Sequence, residues 1–183
     1  MPDKNRYFIG IIPPSPISEQ ILEHKNYFKE HFQSRASLNS PPHITLHMPF
    51  DWKSEKEVEL TDSLQRLSSI LPKITVTLKN FGSFPPRTIF VQVVPSETLD
   101  QLQYRLKKFC KKELGLFNAE YKDLPFHPHL TVAFRDLKKP MFAKAWEEYK
   151  DKLFDAEFLA DRIWLLKHDG ERWNPFREFV LPA

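Results

Sequence analysis

The chain has 183 residues, 41% apolar and 14% aromatic with sixteen phenylalanines, enough to bury one sizeable core as a single domain or two small lobes. Its 27 basic and 24 acidic residues leave a net charge of +3, which permits an anionic ligand without demanding a surface that coats nucleic acid. The lone Cys110 excludes an intrachain disulfide framework and any CxxC redox or zinc motif, and four scattered glycines (10, 82, 115 and 170) exclude the glycine-rich loops that cradle ATP or NAD.

In chain order, RYFIGII (6–12) reads as a strand. It is too short for a signal sequence and runs into PPSP, and no segment approaches the ~20 apolar residues of a membrane span. With a single cysteine, the expectation is a cytoplasmic protein without membrane association. A helix opens at Ser15 with Pro16 at its first position, and Ile17, Ile21, Phe28 and Phe32 line its buried face. In PPHITLHMPF (41–50), period-2 alternation puts Ile44, Leu46 and Met48 on one face of a strand and His43, Thr45 and His47 on the other. Ser54 with Glu57 forms a capping box for a second helix that buries Val58, Leu64, Leu67 and Leu71.

KITVTLKNF (73–81) and RTIFVQVV (87–94) are the next strands. A third helix opens at Ser96 and carries Leu99, Leu102, Leu106 and Phe109 at helical spacing. Its Lys107, Lys108, Lys111 and Lys112 read as a solvated face. HLTVAF (129–134) is a strand, residues 140–153 a helix, and RIWLLKH, an Asp169-Gly170 turn and a return through Phe179 form a closing hairpin. Trp146 and Trp164 are expected in the core.

Each half therefore reads strand, helix, His-x-Thr strand, helix, strand, with one strand over. Tyr7 lies 36 residues before His43, and Ile89 lies 40 before His129. The expectation is an α+β fold of two internally duplicated lobes, antiparallel-rich sheets with outer helices and a central cleft. It forms one domain over 1–183, with pseudo-repeats at about 6–81 and 87–181.

The two histidine strands share Pro-His-apolar-Thr-apolar: Pro42, His43, Ile44, Thr45, Leu46 and Pro128, His129, Leu130, Thr131, Val132. Chance predicts only ~0.3 His-x-Thr matches in a chain of this composition. Imidazole and hydroxyl share a strand face about 6.7 Å apart, so one phosphate-sized group can touch both. Two facing imidazoles can act as base and acid in one turnover, the combination that breaking a phosphodiester between two oxygens requires. No metal is needed when hydroxyls or cations hold the phosphate charge.

On these residues, together with RYFIGIIPP and FGSFPPRTIFV, the chain resembles the two-histidine (2H) phosphoesterase superfamily, in its 2′–5′ RNA ligase-like branch. The resemblance implies a bilobal duplicated fold and a metal-independent cyclic phosphodiesterase that hydrolyses RNA 2′,3′-cyclic phosphate ends or related nucleotides to 2′-phosphomonoesters. Some members also join or cleave 2′–5′ linkages without ATP. It further implies that His43 and His129 are the acid–base pair, with His129 activating water and His43 protonating the 3′ oxygen, and that Thr45 and Thr131 hold the phosphate. Many members place an arginine soon after the second motif; here Arg135 stands slightly later.

His47 and His127 read as exposed or outer residues. A zinc site through His43/His47 and His127/His129 ranks below proton transfer. Phe84 and Arg87, in FGSFPPRT, are candidates to stack on a base and pair with phosphate, against an even alternative of core packing and solvation. Arg172 and Trp173 are weaker candidates. No cofactor and no obligate protein partner is expected; the partners are RNA 3′ ends or small cyclic nucleotides. The competing readings are a nucleotide-binding module without useful catalysis and a metal-dependent hydrolase.

Overall fold

A computed structural model describes residues 3–118 and 125–182 of the chain. The elements are β1 (Lys4–Ile11), α1 (Ile17–Phe32), β2 (Ile44–Lys53), α2 (Glu57–Ser68), β3 (Ile74–Phe84), β4 (Thr88–Val93), α3 (Glu97–Leu114), β5 (His129–Ala133), α4 (Lys139–Tyr149), β6 (Asp155–Ala160), β7 (Arg162–His168) and β8 (Trp173–Val180). They form two four-stranded antiparallel sheets, ordered β2-β1-β7-β8 (sheet A) and β5-β4-β3-β6 (sheet B). The α+β, two-lobed architecture read from the sequence is the one observed.

Each sheet draws strands from both halves of the chain. The first run contributes β1 and β2 to sheet A and then sends β3 across to sheet B; β7 and β8 return from the far end to complete sheet A. Helices cross as well. α1 follows β1, yet Phe28 stacks on Tyr149 of α4 at 4.8 Å and His24 meets Phe81 of β3 at 4.9 Å. α3 follows β4, yet it packs on β2 and α2. This exchange brings the two motif strands, β2 and β5, to the sheet edges that meet between the lobes. No described helix is long and apolar enough to cross a membrane.

β1 runs through the middle of sheet A, paired with β2 and β7, which is why Tyr7 to Ile11 are continuously buried. The α3 start is as read: the Ser96 hydroxyl accepts from the Leu99 amide, and Gly115 closes the helix at φ 63°, where a side chain would be strained. At α2 the expected capping box does not form. Ser54 begins a 3-10 turn and donates to the Asp3 carbonyl, while the Glu57 carboxylate is taken by the Tyr7 hydroxyl and by Lys167, 2.6 Å away. Val58 is consequently exposed, and Leu60 takes the buried place. α4 ends at Tyr149, short of Leu153, and β6 is an additional strand.

A β-bulge corrects the reading of PPHITLHMPF. Gly10 pairs with Thr45 but Ile9 pairs with His47, so Leu46 is the extra residue and the alternation inverts after it. His47 turns inward to 1% exposure, and Met48 turns outward. The second motif carries the same insertion, since Phe90 pairs with Thr131 and Ile89 with Ala133, leaving Val132 over. Trp146 and Trp164 are half-buried rather than sealed in the core.

Candidate functional site

Before each bulge the two motif strands are built alike. Ile44, Leu46, Leu130 and Val132 face the core, while His43, Thr45, His129 and Thr131 stand half-buried on the other side. His43 Nδ1 donates to the Pro41 carbonyl at 2.7 Å, and His129 Nδ1 donates to the His127 carbonyl at 2.7 Å. A carbonyl can only accept, so in both neutral rings Nδ1 carries the proton and Nε2 offers its lone pair. Among the described residues neither threonine hydroxyl has a partner.

Electrostatics connect the lobes. Burial, foremost, the Lys25 charge and, more weakly, His129 bring the His43 imidazole down to about 4, against the pull of the Pro41 carbonyl. His129 is also lowered, by burial and by the charge of His127, while its bond to the His127 carbonyl opposes the change. Both rings are therefore held neutral at rest.

Aromatic rings flank each imidazole. Phe8 lies 4.7 Å from His43 and meets Trp173 edge-on at 4.8 Å. Phe90 lies 5.0 Å and Phe84 5.2 Å from His129. Two glycines permit these approaches. A Cβ on Gly82 would stand 2.6 Å from the Phe90 ring, and one on Gly10 would stand 2.7 Å from the Ile44 carbonyl, between His43 and Thr45.

The frame behind the motifs is polar and buried. The Asp136 carboxylate accepts from the Ser34 hydroxyl and the Arg35 and Ala36 amides, tying the segment after α1 to the end of β5. Each bulge carbonyl is satisfied from the opposite repeat: Ser37 Oγ donates to Val132 at 2.7 Å, and Gln103 Nε2 to Leu46 at 3.2 Å. Lys25, 1% exposed, donates to the Ser37 and Ser40 carbonyls at 2.9 and 3.0 Å.

Phe84 is 41% exposed, so it does not pack into the core, and it stands beside both His127 and His129. His127 is exposed, with its ring 6.1 Å from that of His129. Arg87 is exposed at the tip of the β3–β4 hairpin. Arg135 follows the end of β5 at φ 61°, with its guanidinium 5.2 Å over Phe134. His47, turned into the core against Phe50, does not share a face with His43, so the first half of the zinc set considered above is not assembled. Its Nδ1 donates to the Met48 carbonyl and its Nε2 has no partner. Two surface hollows, beside the β7–β8 turn and along Asp51–Lys53, contain neither motif. Lys25 and Asp136 were not anticipated. Lys25 does leave a trace, because it occupies the gap at 25 in the buried stripe 17-21-25-28-32.

Two antiparallel sheets that each present a His-x-Thr strand at a shared boundary define a LigT-like α+β fold. Crystal structures with this fold include E. coli LigT in complex with 3'-AMP (TM-score 0.69, 23% identity, 99% of this chain and 100% of that one) and TT0787 of Thermus thermophilus (0.69, 20%, 96% and 97%). The "Putative phosphoesterase GK0864" of Geobacillus kaustophilus is 29% identical over 179 residues, 96% of each chain. The chain belongs to the 2'-5' RNA ligase superfamily, the 2H phosphoesterases, whose profile matches residues 13–172.

Proposed function

We propose that this protein is a metal-independent cyclic phosphodiesterase that opens the 2′,3′-cyclic phosphate of RNA ends or related nucleotides to a 2′-phosphomonoester, with His43 and His129 as its acid–base pair. One observation carries the reading. Two imidazoles from different sheets are locked in the same tautomer with free Nε2 atoms, each two residues before an unpartnered threonine hydroxyl.

In the reaction, one imidazole accepts a proton from water as the oxygen attacks phosphorus in line with the bond to O3′. That bond breaks, and the other imidazole, protonated in the bound state, delivers its proton to O3′. Thr45 and Thr131 donate to the non-bridging oxygens, where negative charge gathers. A bound phosphodiester anion raises both imidazoles from their resting values, which lets one of them carry the proton. Phe84 stacks on a base, and Arg87 and Arg135 meet phosphates further along an RNA strand. With an RNA 5′ hydroxyl in place of water, the same proton transfers open the cyclic phosphate into a 2′–5′ phosphodiester, O3′ leaving as the hydroxyl, without ATP, so 2′–5′ ligation belongs to the same proposal.

The test is turnover of 2′,3′-cyclic nucleotides and cyclic-phosphate-ended RNA, in EDTA, by wild type, His43→Ala and His129→Ala. Each variant is expected to lose ~10²–10⁴-fold. Wild-type rates in both variants would refute the assignment. Tight binding by the wild type without product would favour the binding-module reading.

A further inference from the structure

The two motifs look equivalent, but their surroundings differ. Beside His129 stands His127, exposed to solvent. Beside His43 stands Lys25, buried in the apolar stripe of α1. No carboxylate pairs with Lys25 among the described residues; its ammonium donates instead to Ser37 and Ser40, the segment that leads into Pro41 and His43. Ser37 is in turn bonded to Val132 of the second motif. One side chain thus pins the peptide whose next carbonyl, Pro41, fixes the His43 tautomer, and keeps a cation near that ring.

We infer that Lys25 is a positioning residue for His43: its two hydrogen bonds anchor the segment bearing the Pro41 carbonyl, which in turn holds the His43 ring in the tautomer that leaves Nε2 free. The inference rests on the reading of both histidines as acid–base groups. Burial brings Lys25 itself down to about 7, so the ammonium is present on the acid side of neutrality, where the His43 titration falls. There the cation is in place when it matters.

The experiment follows the imidazole nitrogens of His43 by long-range ¹H–¹⁵N NMR across pH in wild type and Lys25→Met, alongside the pH dependence of kcat/KM. Removing the cation favours the charged imidazole, so in Lys25→Met the His43 titration should move to higher pH and its Nε2–H tautomer should become populated. The limb of the kcat/KM profile that reports His43 should move up with it. kcat should fall about 10–100-fold, the scale on which groups that orient a metal-bound histidine act. An unchanged His43 titration and tautomer would overturn the inference.

Should Lys25→Met fail to fold, ¹⁵N titration of Lys25 and His43 in the wild type decides. Ordinary values for both, near 10.5 and 6.5, would overturn the inference. An active His43→Ala variant would fail the catalytic reading alone and leave the NMR comparison standing.

Discussion

Acidification from pH 7 to pH 5 should destabilise this fold through its histidines, well before the carboxylates matter. His43 and His24 are each brought from 6.5 to about 4, by burial first and then by a lysine charge, Lys25 for one and Lys152 for the other. A lowered histidine favours the neutral ring in the folded chain, while the unfolded chain takes up a proton below pH 6.5. Stability is therefore complete above ~6.5 and declines as pH falls toward 4. At about 1.4 kcal/mol per pH unit, each ring accounts for ~3 kcal/mol over the whole window and roughly 2 kcal/mol by pH 5. His47 and His129 are lowered too and act in the same direction.

Glu57 and Asp169 lie outside this window, because a lowered carboxylate loses its contribution only below 4.5 and 3.8 respectively. A loss of ~4 kcal/mol from two rings should depress Tm on the order of 10 °C in a chain of this length. The assay is thermal unfolding by circular dichroism in steps of half a pH unit, with His24→Leu as the informative variant because His24 lies outside the motifs. That variant should lose roughly half of the pH dependence assigned to these two rings. A Tm unchanged within 2–3 °C (roughly 1 kcal/mol) between pH 7 and 5 would refute the reasoning, as would a slope untouched by the substitution.

Three further outcomes are expected. Gly10→Ala should destabilise by about 1–3 kcal/mol in urea unfolding and reduce kcat, because its Cβ must displace the Ile44 carbonyl from 2.7 Å and Ile44 separates His43 from Thr45. Thr45→Val and Thr131→Val keep the β-branched shape and remove a donor, so each should lower kcat by about 10²-fold with an unchanged circular dichroism spectrum. Asp136→Ala strips the acceptor from Ser34, Arg35 and Ala36 and should cost ~2–3 kcal/mol, read as a lowered urea midpoint at constant m-value.

What the sequence made legible followed from strong local patterns. α3 has a serine cap and a leucine stripe, and both stand where they were read. The two motifs repeat too closely for chance, and their side chains stand on matching faces. The failures occur where tertiary partners override local rules. Glu57 leaves the expected cap for Tyr7 and Lys167, which approach from strands distant in sequence. β6 was missed because it is an edge strand with Asp155, Glu157 and Leu159 outward, a pattern no stronger than that of a loop. The bulges are invisible in composition, since Leu46 and Val132 are apolar whichever way the strand runs, and only pairing reveals that His47 faces inward. Lys25 was passed over because a lysine on a helix is ordinarily assigned to water; its place in the stripe was the available signal.

The crossing of β3 into one sheet and of β7 into the other has a consequence for how the polypeptide is made. β1 is an inner strand whose second neighbour begins at Arg162, so a nascent chain emerging from a ribosome exposes one side of β1 until β7 has been synthesised. Cleavage between Phe84 and Thr88 would likewise not release two autonomous pieces, because each fragment holds strands that complete the other's sheet. The polypeptide is interlocked, and its two imidazoles come together only when it is whole.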